Sequence, residues 1–329
     1  MWSKEQIWKW YQEQPWIVGF NYLPSTAVNS TAMWQKEDFN IERIEKELSA
    51  AAEIGYNTCR VFMQYLLWKE KKEELFECFD AFLECANRHG IRVMPILFDD
   101  CAFAGKEPYL GVQDEPLPGI HNSGWTPSPG FANADREEEQ ALLREYVTDF
   151  VGRYREDERI LLWDLYNEPG NSDRKEKCEK LLKNVFLWAR SCDPKQPLTV
   201  GVWMFADFDQ ICAELSDIIS FHDYEVMGRT KEKVSKLETY GRPLICTEWL
   251  HRPGGNCIET HMPYYHEKKI GIINWGLVAG KTQTYLDWEA SNNPKEGMPK
   301  IWQHDIFYGD LTPYRPEEVE RIKKLTGMK

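Results

Sequence analysis

The chain has 329 residues, 42% hydrophobic and 13% aromatic. That is ample material for a sizeable core, with no run of about 18 apolar residues that would span a bilayer. A formal net charge of -13 sets up a field that repels phosphate backbones, so neither nucleic acid nor a membrane is an expected partner.

The opening stretch MWSKEQIWKWYQEQPW is amphipathic and charged, so a helix is expected over about 4–14. It lacks the basic start, apolar centre and small-residue cleavage site of a secretory signal, which points to a cytoplasmic protein. Strands are then expected at 17–22, 57–63, 92–98, 161–167, 198–203, 218–222, 244–248 and 271–276, where short apolar, β-branched runs recur. Helices are expected between and after them, at 41–54, 71–89, 135–154, 173–191, 205–215, 230–240, 257–269 and 316–325. Glycines in EIGYN, RHGIR and KKIGI supply the left-handed residue that ends a helix before the next strand. Eight βα units in one domain, 1–329, close most simply as an α/β fold of the (β/α)8 TIM-barrel type. A doubly wound open sheet is the alternative, but no G-x-G-x-x-G or Walker sequence follows any strand.

Two insertions, 101–133 and 277–312, are far longer than ordinary connections. They follow the third and eighth strands, which puts both on the C-terminal face of a barrel, where loops build sites. Nine cysteines without a CxxC pair read as reduced, mostly buried thiols. In a reducing compartment the Asn29-Ser30-Thr31 sequon carries no meaning.

WDLYNEPGN, residues 163–171, poses a physical problem, because an apolar strand ends on an amide and an acid. A barrel resolves it: the C-terminal end of a strand leaves the packed interior and enters the mouth. Asn167 and Glu168 therefore belong to the site, and Glu248, ending PLICTE, is a second acid on strand 7, nearly opposite. Two carboxylates facing across a pocket suit glycosidic cleavage, in which one protonates the leaving oxygen and the other attacks or stabilises the anomeric carbon. Arg60 on strand 2 is placed to hold an ionised partner. Asp164 reads as an inward acid bonded to a neighbouring arginine.

These motifs, Asn-Glu ending strand 4 and CTEW ending strand 7, resemble the retaining glycoside hydrolases of clan A, and most closely glycoside hydrolase family 5, the cellulase-type barrels. The resemblance runs through all eight strands. It implies Glu168 as acid/base, Glu248 as nucleophile, Asn167 on the sugar 2-hydroxyl and Arg60 supporting the nucleophile. FHDYE resembles the family's strand 6 His-x-Tyr, giving His222 and Tyr224; INWG resembles its strand 8 tryptophan, giving Trp275. Where the family usually has a histidine after strand 3, this chain reads LFDDC. Asp99 and Asp100 would there grip sugar hydroxyls on the non-reducing side, as in pocket-shaped, chain-end-cutting enzymes.

Among the fourteen tryptophans, Trp34, Trp125, Trp203 and Trp249 lie in or near C-terminal loops, where a ring can stack on a pyranose. His121 and Trp125 either shape a pocket or decorate a lid. His261 and His266 in HMPYYH lack a third ligand at metal spacing, GKTQT (280–284) lacks the upstream glycine of a phosphate loop, and no cofactor or metal is implied. The expected activity is a retaining β-glycosidase acting from the end of short β-linked oligosaccharides, on β-mannosides, β-glucosides or β-xylosides. The rivals are an endo-β-1,4-glycanase, a non-catalytic sugar-binding barrel, and a metal-dependent hydrolase using Asp99, Asp100, His222 and Glu248.

Overall fold

The structure is a computed structural model that describes residues 1–204, 207–291 and 293–328. Eight strands follow chain order around a barrel: β1 (Val18–Tyr22), β2 (Thr58–Phe62), β3 (Arg92–Asp99), β4 (Trp163–Asn167), β5 (Leu198–Thr199), β6 (Ile219–His222), β7 (Leu244–Glu248) and β8 (Gly271–Asn274). Every pairing is parallel, and β8 returns to β1 with Phe20 opposite Asn274. The last seam, between β5 and β6, is closed by a parallel bridge from Val202 to Phe221. The chain is a (β/α)8 barrel.

The helices are α1 (Lys4–Glu13), α2 (Ser30–Trp34), α3 (Ile41–Glu53), α4 (Tyr65–Arg88), α5 (Phe131–Asp135), α6 (Gln140–Tyr154), α7 (Glu179–Ser191), α8 (Asp207–Leu215), α9 (Met227–Glu238), α10 (Ile258–Lys268) and α11 (Pro316–Thr326). None among the described residues is long and apolar enough to cross a membrane. Each expected helix exists, with ends moved by local chemistry. α4 begins at Tyr65 because the Gln64 side chain caps Leu66 N, and a kink at Lys71 (φ -140°) hides the continuity of its register. α6 starts only at Gln140, after an extended Arg136. α7 starts at Glu179, because Ser172, Asp173 and Lys175 take left-handed backbone angles. The expected start of the fifth-strand helix, Phe205, lies outside the described residues. α2 was not expected; its cap is Asn29, which accepts from Ala32 N and is 2% exposed. The sequon asparagine is a buried structural cap.

Below the site the barrel interior is apolar. Ile17, Met94, Leu162, Ile218, Ile245 and Ile273 form one cluster, closed from underneath by Ile7 of α1. Burying Ile7 is worth about 2 kcal/mol. α1 is held in place by a Ser3–Gln6 capping box and by Tyr11, whose hydroxyl donates to Lys269 O at 2.9 Å. Above this layer the interior turns polar: Asn21, Arg60, Asp164, Thr199, Ser220 and Thr247 are all buried. All nine cysteines are unpaired, most of them buried.

The barrel closes tightly where β1 meets β2. A Cβ added at Gly19 would stand 1.8 Å from the Thr58 carbonyl oxygen, a backbone atom with no freedom to retreat. Gly19→Ala is therefore expected to destabilise the fold by about 3 kcal/mol, read as a lower urea midpoint; an unchanged midpoint would show that the two strands part without cost.

Candidate active site

The polar upper layer is organised by Arg60, whose guanidinium has no exposed surface. Nε and Nη2 donate to Asp164 Oδ2 at 2.9 and 2.7 Å, Nη2 also to Asn167 Oδ1 at 2.7 Å, and Nη1 to Asn21 Oδ1 at 2.7 Å and Glu248 Oε1 at 2.9 Å. Asp164 thus takes the arginine partner expected from its inward parity. Arg60 also reaches Asn167, three positions further on, so strict alternation of faces ends within β4.

Glu248 closes β7. Its Oε2 accepts from the Tyr224 hydroxyl at 2.9 Å and lies 3.4 Å from His222 Nδ1. The register slips between Phe221 and His222, so His222 stands opposite Glu248 itself; such an irregularity re-aims a side chain at a strand end. Glu168 follows β4 with φ 42°, a strained angle for a non-glycine residue. Its Oε1 accepts from His222 Nδ1 at 2.8 Å, and its Oε2 accepts from Asn171 Nδ2 at 2.5 Å and Cys101 Sγ at 3.2 Å. The facing atoms of Glu168, His222 and Glu248 all lie within 4.8 Å of one another.

Burial raises both glutamates above the ordinary carboxylate range. Against it, Glu248 has His222 and the directly bonded Arg60, whereas Glu168 is held chiefly by the uncharged Cys101 and Asn171. Each carboxyl, once charged, adds to the cost of ionising the other, and at Glu248 the bonded Arg60 guanidinium offsets part of that cost. Burial pushes His222 down to about 4, so its ring is neutral and Nδ1 carries the donated proton.

The pocket above these groups, about 250 Å³, is lined by Cys101, Phe103, His121, Asn122, Trp125, Asn167, Glu168, Trp203, Tyr224, Glu248, Trp275 and Trp288. Nine expected residues converge here directly or through a bond: Arg60, Asp99, Trp125, Asn167, Glu168, His222, Tyr224, Glu248 and Trp275. Asp99 is a positioning group, accepting from Asn167 Nδ2 at 2.9 Å, Trp125 Nε1 at 2.7 Å and Cys101 N at 3.0 Å. Burial lifts it to about 6.

Two expectations need correction. Asp100 does not face the pocket; it accepts from Tyr166 at 2.8 Å and Gly170 N at 2.8 Å, bracing the turn that follows Glu168. Trp249 is 1% exposed and packs on Tyr265 of α10, outside the barrel wall, so it cannot stack on a sugar. Trp34 is likewise buried, among Phe39, Phe79 and Phe82. Trp203 does line the pocket. Cys101, Asn171, Asn21 and Trp288 were not foreseen as site residues. Asn171 left a trace, an amide three residues after the acid across a Pro-Gly turn; the others carry none, because only folding brings their segments here.

Glu168, His222 and Glu248 have the spacing of a metal triad, as do Glu45, Cys85 and His89 on the barrel exterior. In the first set every carboxylate oxygen already accepts a hydrogen bond and Arg60 sits against Glu248; in the second, Arg88 binds Glu45. Those cations oppose a metal ion. Asp99 and Asp100 point to other partners, so the four-residue metal set does not assemble. His261 bonds to Thr230 and to Glu225 O while His266 packs on Trp16, and residues 280–284 form a loop-packing turn.

A family model described as Cellulase (glycosyl hydrolase family 5) matches residues 20–281. The chain belongs to glycosyl hydrolase family 5. Mannan endo-1,4-beta-mannosidase 8 of Oryza sativa subsp. japonica is 23% identical over 209 residues, 59% of this chain and 54% of the rice protein. The family 5 chain thus spans about half the length of that curated relative. An exo-beta-1,4-mannosidase from Opitutaceae bacterium strain TAV5 shares its fold with a TM-score of 0.66 at 14% identity, over 94% of this chain and 60% of that one. A mutant family 5 mannosidase from Rhizomucor miehei, in complex with mannosyl-fructose, gives 0.62 at 15%, over 96% and 93%.

Because the fold raises the Glu168 pKa, the stability its protonated form lends is whole below the unfolded value, about 4.3, and is lost as pH rises through the folded value. Glu168→Gln stays neutral at every pH. It is expected to be more stable than wild type by about 1 kcal/mol at pH 7 and equal to it near pH 4, by urea unfolding; a neutral-pH loss would contradict the shift.

Proposed function

We propose that this chain is a retaining β-mannosidase that removes single sugars from the non-reducing end of short β-mannosides. The observation that carries the exo reading is the stitching of the two long loops into a wall. Gln283 of the β8 loop accepts from Gly119 N at 2.9 Å and donates to Leu117 O and Ile120 O of the β3 loop; Asn122 N donates to Thr282 O at 2.8 Å and Lys295 N to Gly119 O at 3.0 Å. Beyond Trp125 and Trp275, over the ends of β1 and β2, lies a cavity of about 20 Å³, room for a single water. A polymer threaded past the glycone would have to pass there. The mannosidase names among the structural neighbours favour mannose as the sugar.

In this reading the glycone lies over Glu248 against Trp275, and the leaving group lies toward Glu168 and Trp203. A Glu248 oxygen bonds to the anomeric carbon as the glycosidic C–O bond breaks and Glu168 delivers its proton to the departing oxygen. The covalent intermediate turns Glu248 into a neutral ester. With that charge gone, Glu168 remains ionised long enough to take a proton from water; the hydroxide bonds to the anomeric carbon, and Glu248 leaves as a carboxylate. Facing oxygens within 4.8 Å of each other leave no room between the carboxyl groups for the attacking water of an inverting pair, which needs about 6.5 to 9.5 Å, and so favour double displacement. Asn167, pinned by Arg60 and Asp99, is placed for the 2-hydroxyl.

Reduced mannotetraose should release mannose as its first product, initially as the β anomer. First release of mannobiose would favour the endo reading, to which the rice relative's name points, and preference for glucosides or xylosides would remove the mannoside assignment. Glu248→Ala should lose about 10⁴-fold or more in kcat, and azide should restore turnover as an α-glycosyl azide. Undiminished activity in that variant would overturn the mechanism.

A further inference from the structure

The segment His121-Asn122 hangs from the β3 loop into the pocket and takes no part in the chemistry above. Both residues line the pocket, and both are nearly inaccessible, at 2% and 1% exposure. Their polar groups are nevertheless poorly used. His121 Nδ1 lies 2.8 Å from Leu286 O. A carbonyl only accepts, so Nδ1 carries the proton; burial holds the ring neutral, with its pKa down at about 4. Nε2 is then a bare acceptor. Asn122 Oδ1 is buried with no hydrogen-bond partner. A folded protein leaves few such atoms, and the adjacent His121 presents a second acceptor in the same cavity wall.

Their placement is enforced. Asn122 has φ 51°, a left-handed angle that asparagine tolerates better than most residues. Its N–H is tied to Thr282 O and its carbonyl accepts from Trp125 N. The His121 ring is wedged between Phe103 and His304, with centroids 6.0 and 5.8 Å away. The two groups are thus preorganised on the β3 side of the loop seam, each tied to the β8 loop, and neither can swing out to solvent to satisfy itself.

We propose that His121 and Asn122 are specificity-determining residues that read hydroxyl groups of the sugar ring seated at Glu248, each accepting a hydrogen bond from a ring hydroxyl remote from the anomeric carbon. This rests on the glycosidase reading. It assigns to the long β3 loop a role beyond that of a wall: the loop carries acceptors that only a terminal sugar's free hydroxyls satisfy. The class of ligand is a pyranose with unsubstituted hydroxyls at carbons 3, 4 or 6. A substituent on the hydroxyl that is read would leave an acceptor unpaired and meet the wall.

The test uses the full chain carrying Glu168→Gln, which cannot turn over, and calorimetric binding of methyl β-mannopyranoside and its 3-, 4- and 6-deoxy analogues, with methyl β-glucoside and β-xyloside in parallel. His121→Phe keeps the ring shape, and Asn122→Gly keeps the left-handed backbone. Each change should weaken the best-bound methyl glycoside about tenfold. At least one deoxy analogue should bind the altered and unaltered chains equally, because the contact is absent from both. Equal weakening toward all analogues, or none, would overturn the proposal, with thermal melts showing whether each variant is folded. If the unaltered chain hydrolyses no β-glycoside yet binds one through these residues, the catalytic reading falls and this assignment stands. If no methyl glycoside binds, both fall.

Discussion

A guanidinium with no contact with water sits at the centre of this barrel, and the site is arranged around what it needs. Arg60 has five N–H groups, and each finds an oxygen: two bonds go to Asp164 and one each to Asn21, Asn167 and Glu248. Removing a cation from water costs several kcal/mol, which only well-aligned opposite charge and full hydrogen bonding repay. Because these partners come from β1, β4 and β7, satisfying one side chain fixes the mutual positions of strands on opposite walls. The same bonds favour the charged form of Glu248 against its burial and turn the Asn167 amide, so the electrostatic need of the arginine and the geometry of the pocket have a single solution.

Glu168 is supported differently. Among the described residues no cation bonds it; a neutral imidazole, a thiol and an amide hold its oxygens, on a backbone turned into the left-handed region. Asp100, through Gly170 N, braces that turn from behind. Two glutamates of the same chemistry thus sit in environments that separate their proton affinities, one beside a fixed charge and one among dipoles. The loops after β3 and β8 then enclose the pair: residues far apart in sequence trade backbone and side-chain hydrogen bonds across the mouth, turning what could be a groove into a pocket.

Much of this was legible in the chain. The eight-fold recurrence of apolar and amphipathic segments follows from burying one face of each element, which leaves its period in the sequence. Glu168, Glu248 and Asn167 were recognisable because polar groups end otherwise apolar strands, an arrangement that costs free energy unless the strand end opens into a site; His222 and Tyr224 were reached through the resemblance of FHDYE to a family motif. Helix ends were less legible: the kink at Lys71, the left-handed run after Asn171 and the cap at Gln64 depend on tertiary partners rather than on composition. Asp99 and Asp100 look equivalent as neighbours in LFDDC, yet one turns toward Asn167 and the other toward Gly170. Trp249 follows Glu248 directly but leaves by the outer face.

What the sequence alone determined, then, is the barrel and the identity of the groups at its strand ends, since periodicity and the cost of burying polar atoms act within a few residues. Tertiary structure decided which of those groups bond to one another, which merely brace a turn, and where the pocket stops. Those outcomes depend on contacts such as Cys101 with Glu168, or Gln283 with Gly119, between segments separated by 67 and 164 residues, and no local pattern records where such segments meet.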